Sequence, residues 1–100
     1  WLHIAGQIGV RPDGSLAEGF AAQAEAAWSN LVAILQDAGM TVDHLVKVNH
    51  FLVQASDLTD YNPIRMKFLG EARPASTLIV VQALAKPEWR FEVDAVAWHP

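Results

Sequence analysis

The stretch from Phe20 to Ala38 constrains the fold more than any other part of the chain. Apolar side chains stand at Phe20, Ala24, Ala27, Trp28, Leu31, Ile34, Leu35 and Ala38. Steps of three and four residues gather them into one stripe along one side of an α-helix. Gly39 follows, the residue type best suited to the positive φ at which helices commonly end. A helix with such a stripe must lay it on an apolar surface, which the rest of the chain has to supply.

That surface reads as a sheet. "WLHIAGQIGV" predicts a strand broken at Gly6, and "RPDGS" a turn in which Pro12, Asp13 and Gly14 are suited to their places. "HLVKVNHFLVQ" is rich in Val, Leu and Phe and predicts a strand from about Leu45 to Gln54. "SDLTDYNPIRMKFLG" opens with the cap-type residues Ser56 and Asp57 and closes on Gly70, so it predicts a second helix. Pro63 interrupts it: the helix either kinks there or restarts with Asn62 as cap and Pro63 as first residue. Beyond Arg73–Pro74, "STLIVVQAL" is almost unbroken apolar sequence, and such runs suggest a strand buried on both faces. "WRFEVDAVAW" alternates, with Phe91, Val93, Ala95 and Ala97 on one side and Glu92, Asp94, Val96 and Trp98 on the other. The order strand, helix, strand, helix, strand, strand predicts an α+β domain with two helices on one face of a four-stranded sheet.

The chain is 52% hydrophobic and 18% charged, against about 25% charged in an ordinary soluble domain. A domain of 100 residues has more apolar material here than one small core needs. Part of "LIVV", with Val96 and Trp98, is left for the other face of the sheet, and another copy of the chain is the expected cover. A formal charge of −4 argues against a nucleic-acid partner, which draws most of its affinity from a basic surface. No cysteine is present, so disulfides and thiol chemistry are excluded. No apolar run approaches the length of a membrane span, and no signal peptide is visible.

Several residues could carry chemistry, each with a plainer reading beside it. Glu92 and Asp94 share a strand face about 7 Å apart, as acid–base partners, or as a solvated sheet face or an interface ion pair with Lys47 or Arg90. His50 alternates with Val46, Val48 and Leu52, as a proton carrier near neutral pH or as a satisfied core or interface residue. Gly6-Gln7 could let a ligand approach the backbone, or could mark a bulge. Ser76 has no nucleophile context, and its hydroxyl is suited to bonding the turn. No metal-ligand spacing, phosphate loop or aromatic stacking platform occurs.

Taken in order, "AGQIGV", "PDGSL", "AAQAEAAWSNLVAILQDAG", "LVKVNHFL", "DLTDYN", "RPAS" and "FEVDAVA" resemble the RidA/YjgF family of reactive-intermediate deaminases, also called L-PSP endoribonuclease-like proteins. The resemblance covers nearly the whole chain. It implies a chorismate-mutase-like α+β fold, a mixed sheet with two helices on one face, in a homotrimer with clefts between neighbouring subunits. It implies one domain over residues 1–100, starting after the family's usual N-terminal strand and its pocket tyrosine. Active members of the family hydrolyse 2-imino and enamino acids to 2-keto acids and ammonia. Carried over by position, Glu92 would be catalytic, and Gly6 and Asn62 would line the pocket. Three further pocket positions depart from the pattern: Ser76 stands in place of the arginine after "PA", Ala5 in place of a serine, and Leu78 in place of a frequent cysteine.

A serine cannot replace the charged fork of arginine, and losing such a pair would weaken carboxylate binding at least about tenfold. Arg73 lies on the wrong side of Pro74 to substitute directly; Arg11, Arg65 or Arg90 of a neighbouring subunit could reach a shared cleft. The expected function is a diverged imine/enamine deaminase, with a non-catalytic trimeric binding or scaffold protein as the alternative and ribonuclease third. The expected partners are a small-molecule ligand and further copies of the chain, with no membrane and nucleic acid least favoured. No cofactor and no metal are expected, and the expected location is cytoplasmic.

Overall fold

A computed structural model describes residues 1–100. The chain forms β1 (Leu2–Ile8), α1 (Phe20–Asp37), β2 (Leu45–Leu52), α2 (Leu58–Leu69), β3 (Ala75–Val80) and β4 (Phe91–Ala97), with a single 3-10 turn before β2 and another before α2. The strands make one mixed sheet in the order β1-β4-β2-β3, in which β2 and β3 are parallel and the other pairs antiparallel. Helix α2 is the crossover between the two parallel strands. Both helices lie on one face, α1 across β1 and β4 and against α2. The predicted α+β architecture is the one observed.

The stripe of α1 behaves as its spacing dictates. Phe20, Ala24, Ala27, Trp28, Leu31 and Leu35 are buried against the sheet, while Ala38 has become the exposed C-cap. Gly39 beyond it takes a φ of 74°. From the sheet, Ile4, Val48, Leu52, Phe91, Val93, Ala95 and Ala97 meet the stripe, and Tyr61, Ile64 and Leu69 of α2 close the core. The strand at β2 ends at Leu52 rather than Gln54. A register irregularity between Leu45 and Lys47 takes Val46 out of His50's buried row, leaving it 43% exposed.

Helix α2 runs through Pro63 without restarting. Asp57 occupies the N-cap place but makes no cap bond; its carboxylate turns to Arg90 Nη2, at 2.9 Å from each oxygen. A charged partner is the stronger draw for a carboxylate that is itself buried. The buried Gln23 does similar work beside it, donating to the Glu88 carbonyl at 3.0 Å and accepting from the Arg90 N–H at 2.8 Å. These bonds tie the loop between β3 and β4 to α1.

The expectation that "LIVV" is buried on both faces is not met within the chain. β3 is an edge strand paired only to β2, with Ile79 44% and Val80 50% exposed. Neither helix makes a substantial contact with β3, so apolar composition alone could not bury this edge.

Candidate functional site on the bare face of the sheet

Alternation along β4 sends Phe91, Val93, Ala95 and Ala97 toward the helices and Glu92, Asp94 and Val96 to the uncovered face. Glu92 stands opposite Ile8 of β1 and Phe51 of β2. Along β1 the pairing passes from Ile4–Ala95 to Gln7–Val93, so Ala5 and Gly6 form a bulge with one residue more than β4 supplies. The Glu92 side chain folds over this bulge. A β-carbon on Gly6 would come within 2.7 Å of Glu92 Cδ and closer still to its Oε2. A side chain at Gly6 would therefore displace the Glu92 carboxylate from this position, and the bulge that the sequence left as one of two readings is present. Ala5 is exposed beside it, with its carbonyl accepting from Gln7 Nε2 at 3.0 Å.

No ion pair within the chain reaches Glu92 or Asp94. Asp94 Oδ1 accepts from Asn49 Nδ2 at 2.8 Å, and Lys47 Nζ donates to Thr77 Oγ1 at 2.5 Å. Arg90 is committed to Asp57 at 2.9 Å. Within one chain neither Lys47 nor Arg90 pairs with Glu92 or Asp94, which leaves the solvated face, or a pair across an interface, as the plainer reading. Burial pushes the Glu92 pKa above its ordinary value, and the like charge of Asp94 adds to the rise. A half-buried carboxyl with raised proton affinity, next to backbone groups and without a salt bridge, can accept a proton from water and return it.

The remaining candidates lie elsewhere. Ser76 pairs with Val48 and Leu78 with His50, so both point to the helix side of the sheet. Ser76's row reaches β4 at Ala95, three residues and two strands from Glu92. Strand geometry puts their Cα atoms roughly 14 Å apart, on opposite faces. Ser76 is exposed, with Oγ donating weakly to the Pro74 carbonyl at 3.4 Å, as its plainer reading had it. Leu78 packs half-buried against the core, and Asn62 is exposed on α2. Within one chain the candidates form two groups: Glu92, Gly6 and Ala5 on the bare face, and Ser76, Leu78 and Asn62 on the other. Arg73 caps α2, with Nη1 donating to the carbonyls of Gly70 at 2.8 Å and Ala72 at 2.7 Å.

His50 is a core residue, fully buried beside Trp28 and Tyr61. Trp28 Nε1–H donates to Tyr61 Oη at 2.9 Å, and Tyr61 Oη is in turn bonded to His50 Nδ1. An indole N–H can only donate, so Tyr61 accepts from Trp28 and can pass its own hydrogen to Nδ1 of a neutral His50, whose one hydrogen is then on Nε2. His50 Nε2 is buried without a partner. Burial, with help from the charges of Arg65 and Lys47, lowers the His50 pKa to about 4. A histidine so held does not carry protons at neutral pH. Tyr61 and Gln23 were not singled out from the sequence and Asp57 only as a helix cap, although Gln23 stands between Phe20 and Ala27 at the spacing of the buried stripe.

A family model described as Endoribonuclease L-PSP matches residues 1–99. The chain belongs to the RidA/YjgF family. It is 33% identical over 98 residues to the human 2-iminobutanoate/2-iminopropanoate deaminase, covering 96% of this chain and 71% of that one. It is 30% identical over 100 residues to a RutC family protein of Pyrococcus abyssi, covering 98% and 78%. It matches Protein HMF1 of Saccharomyces cerevisiae at 33% over 84 residues, spanning 83% of this chain and 65% of the yeast protein's length. The solved RidA of the Antarctic bacterium Psychrobacter superposes with a TM-score of 0.91 at 35% identity, over 97% of this chain and 79% of that one. The family's two helices on a mixed four-stranded sheet are the architecture described above. No helix is long and apolar enough to cross a membrane.

Proposed function

We propose that this family member is a hydrolytic deaminase of small 2-imino or enamino acids, with Glu92 as its proton-transfer residue. The observation that carries the reading is Glu92 itself: unpaired, half-buried, folded over the glycine bulge and raised in pKa. The relationship to deaminases in human and cattle supports the choice of substrate class. In the reaction, water adds to the carbon of a protonated C=N group, and the Glu92 carboxylate takes a proton from that water. The carboxylic acid so formed returns the proton to nitrogen, the C–N bond breaks as ammonia leaves, and the hydroxyl proton passes through the carboxylate to that ammonia, leaving a 2-keto acid and ammonium. Hydrogen ions and charge balance without a cofactor or metal.

The site belongs to an assembly in this reading. Ser76 and Asn62 cannot share a small ligand with Glu92 of the same chain, but two copies can bring the groups together. The uncovered face offers the apolar surface for it: Val46, Ile79 and Trp98 are each more than 40% exposed. We assign this face to a homotrimer located in the cytoplasm. Freshly generated 2-iminobutanoate mixed with the protein should yield 2-oxobutanoate faster than with Glu92→Ala. Equal rates would remove the reading for this substrate.

The departure at Ser76 favours a second reading, a non-catalytic trimeric binding protein. It predicts ligand binding without turnover, and efficient deamination by the native chain would end it. Binding of single-stranded RNA at physiological salt would instead revive the ribonuclease assignment.

A further inference from the structure

Two of the chain's arginines converge on one groove with no acidic residue among its walls. The groove, about 260 Å³, runs between the C-terminal half of α2 and the start of β3, and is lined by Arg65, Met66, Leu69, Arg73, Pro74 and Ser76 together with Ala72. The chain's two ion pairs are Lys67–Glu25 and Arg90–Asp57, so neither groove arginine is neutralised. Arg73 has spent one nitrogen on the end of α2. Arg65 differs: it is half-buried, its guanidinium carbon lies 5.8 Å from the centre of the Tyr61 ring, and its side chain makes no hydrogen bond. A cation held against an aromatic face loses little conformational freedom on binding a ligand, and its planar fork suits a carboxylate. The volume is below that of a drug-sized pocket, roughly 300–1,000 Å³, and the walls between the polar groups are apolar. These features select a small monocarboxylate with a short aliphatic body.

We propose that this groove binds such a carboxylate, with Arg65 as the anchoring fork and the Ser76 hydroxyl as a second donor. The proposal gives a molecular role to a residue outside the carried-over set, and puts a charge beside the position where Ser76 replaces arginine. It rests on the reading that the chain handles small 2-keto or 2-imino acids, and it commits that reading to one residue on the helix side of the sheet.

The test is titration of the full chain with 2-oxobutanoate, followed by calorimetry and by amide chemical shifts. Arg65→Gln is expected to raise Kd at least about tenfold, the usual loss for a charge-assisted pair. Arg65→Lys, which keeps the charge and the stem over Tyr61, should fall between native and Gln, and guards against a folding defect in the Gln variant. Ser76→Arg should tighten binding. A Kd within about twofold of native in both Arg65 variants overturns the proposal. Inorganic phosphate binding as tightly as 2-oxobutanoate, and lost equally in Arg65→Gln, overturns the carboxylate assignment. Turnover measured alongside separates the two readings. Arg65-dependent binding without Glu92-dependent deamination supports the groove and removes the enzyme; deamination with a KM indifferent to Arg65 supports the enzyme and removes the groove.

Discussion

Strands β4 and β3 are both rich in apolar residues, yet the fold treats them differently. β4 lies between two strands, and its Phe91 and Val93 are fully buried under the helices. β3 is an edge whose Ile79 and Val80 stand about half open to solvent. Apolar sequence shows that a strand needs cover; its place in the sheet decides whether its own chain provides it. The interior strand accordingly holds the domain together, and the edge strand is available to something else.

Truncation gives the largest expected contrast. Phe91 touches the rings of Phe20 and Tyr61, at 5.9 and 4.8 Å between centres. Phe91→Ala is expected to cost about 3–5 kcal/mol, enough to unfold much of a domain this size. Val80→Ala, in dilute monomer, should cost less than about 0.5 kcal/mol. Urea unfolding of both variants checks the contrast, and similar costs would break it.

Acid should act through the interior strand next to β4. His50 sits on β2 in register with Val93, and its pKa falls from 6.5 unfolded to about 4 folded. Between those values the unfolded chain binds a proton that the folded chain refuses, so stability falls as pH is lowered through the window. The loss should approach about 3 kcal/mol at the lower end, from the size of the shift. Protonation also makes Nδ1 a donor, so the Tyr61 O–H loses the acceptor it has in the Trp28–Tyr61–His50 chain. His50→Phe should be less stable at neutral pH but lose less further stability on acidification. An equally steep acid loss in that variant would assign the effect to other groups.

The same contrast explains what could be read in the sequence. The α1 stripe and the alternation of β4 were legible because each is a local period meeting a surface within the chain. The exposure of β3 was not, because a continuous apolar run carries no sign of edge or centre. Asp57 read as a helix cap because its real partner, Arg90, is 33 residues away. The candidate site was legible residue by residue but not as an arrangement. Whether Ser76 and Glu92 share a face depends on strand register and on the bulge at Ala5–Gly6, which no local pattern specifies.

On the edge strand the expected effect is on assembly. Ile79 shares the uncovered face with Glu92, since both pair with Phe51. Ile79→Lys should shift the chain toward monomer in sedimentation while leaving its far-ultraviolet circular dichroism unchanged, because an unpaired charge is costly to bury in an interface. A native chain that is already monomeric would remove the trimer and the shared cleft together.

The smallest effect separates the two faces of β4. Glu92 holds a raised pKa because burial and Asp94 disfavour its charge. A raised carboxyl pKa stabilises the fold while the group is protonated, and that contribution is lost as pH rises through the folded value. Ionised Glu92 is therefore a small liability at neutral pH, and Glu92→Gln should raise Tm there while abolishing the proposed deamination. The gain should vanish once pH falls below the ordinary carboxylate range, where the residue is protonated in folded and unfolded chains alike. Because Glu92 and His50 act in opposite directions across the mildly acidic range, Glu92→Gln should also steepen the acid loss assigned to His50. A variant no more stable than native at neutral pH would mean that Glu92 is solvated like an ordinary surface carboxylate. The uncovered face of β4 would then lose the property that sets its carboxyl apart as a proton carrier.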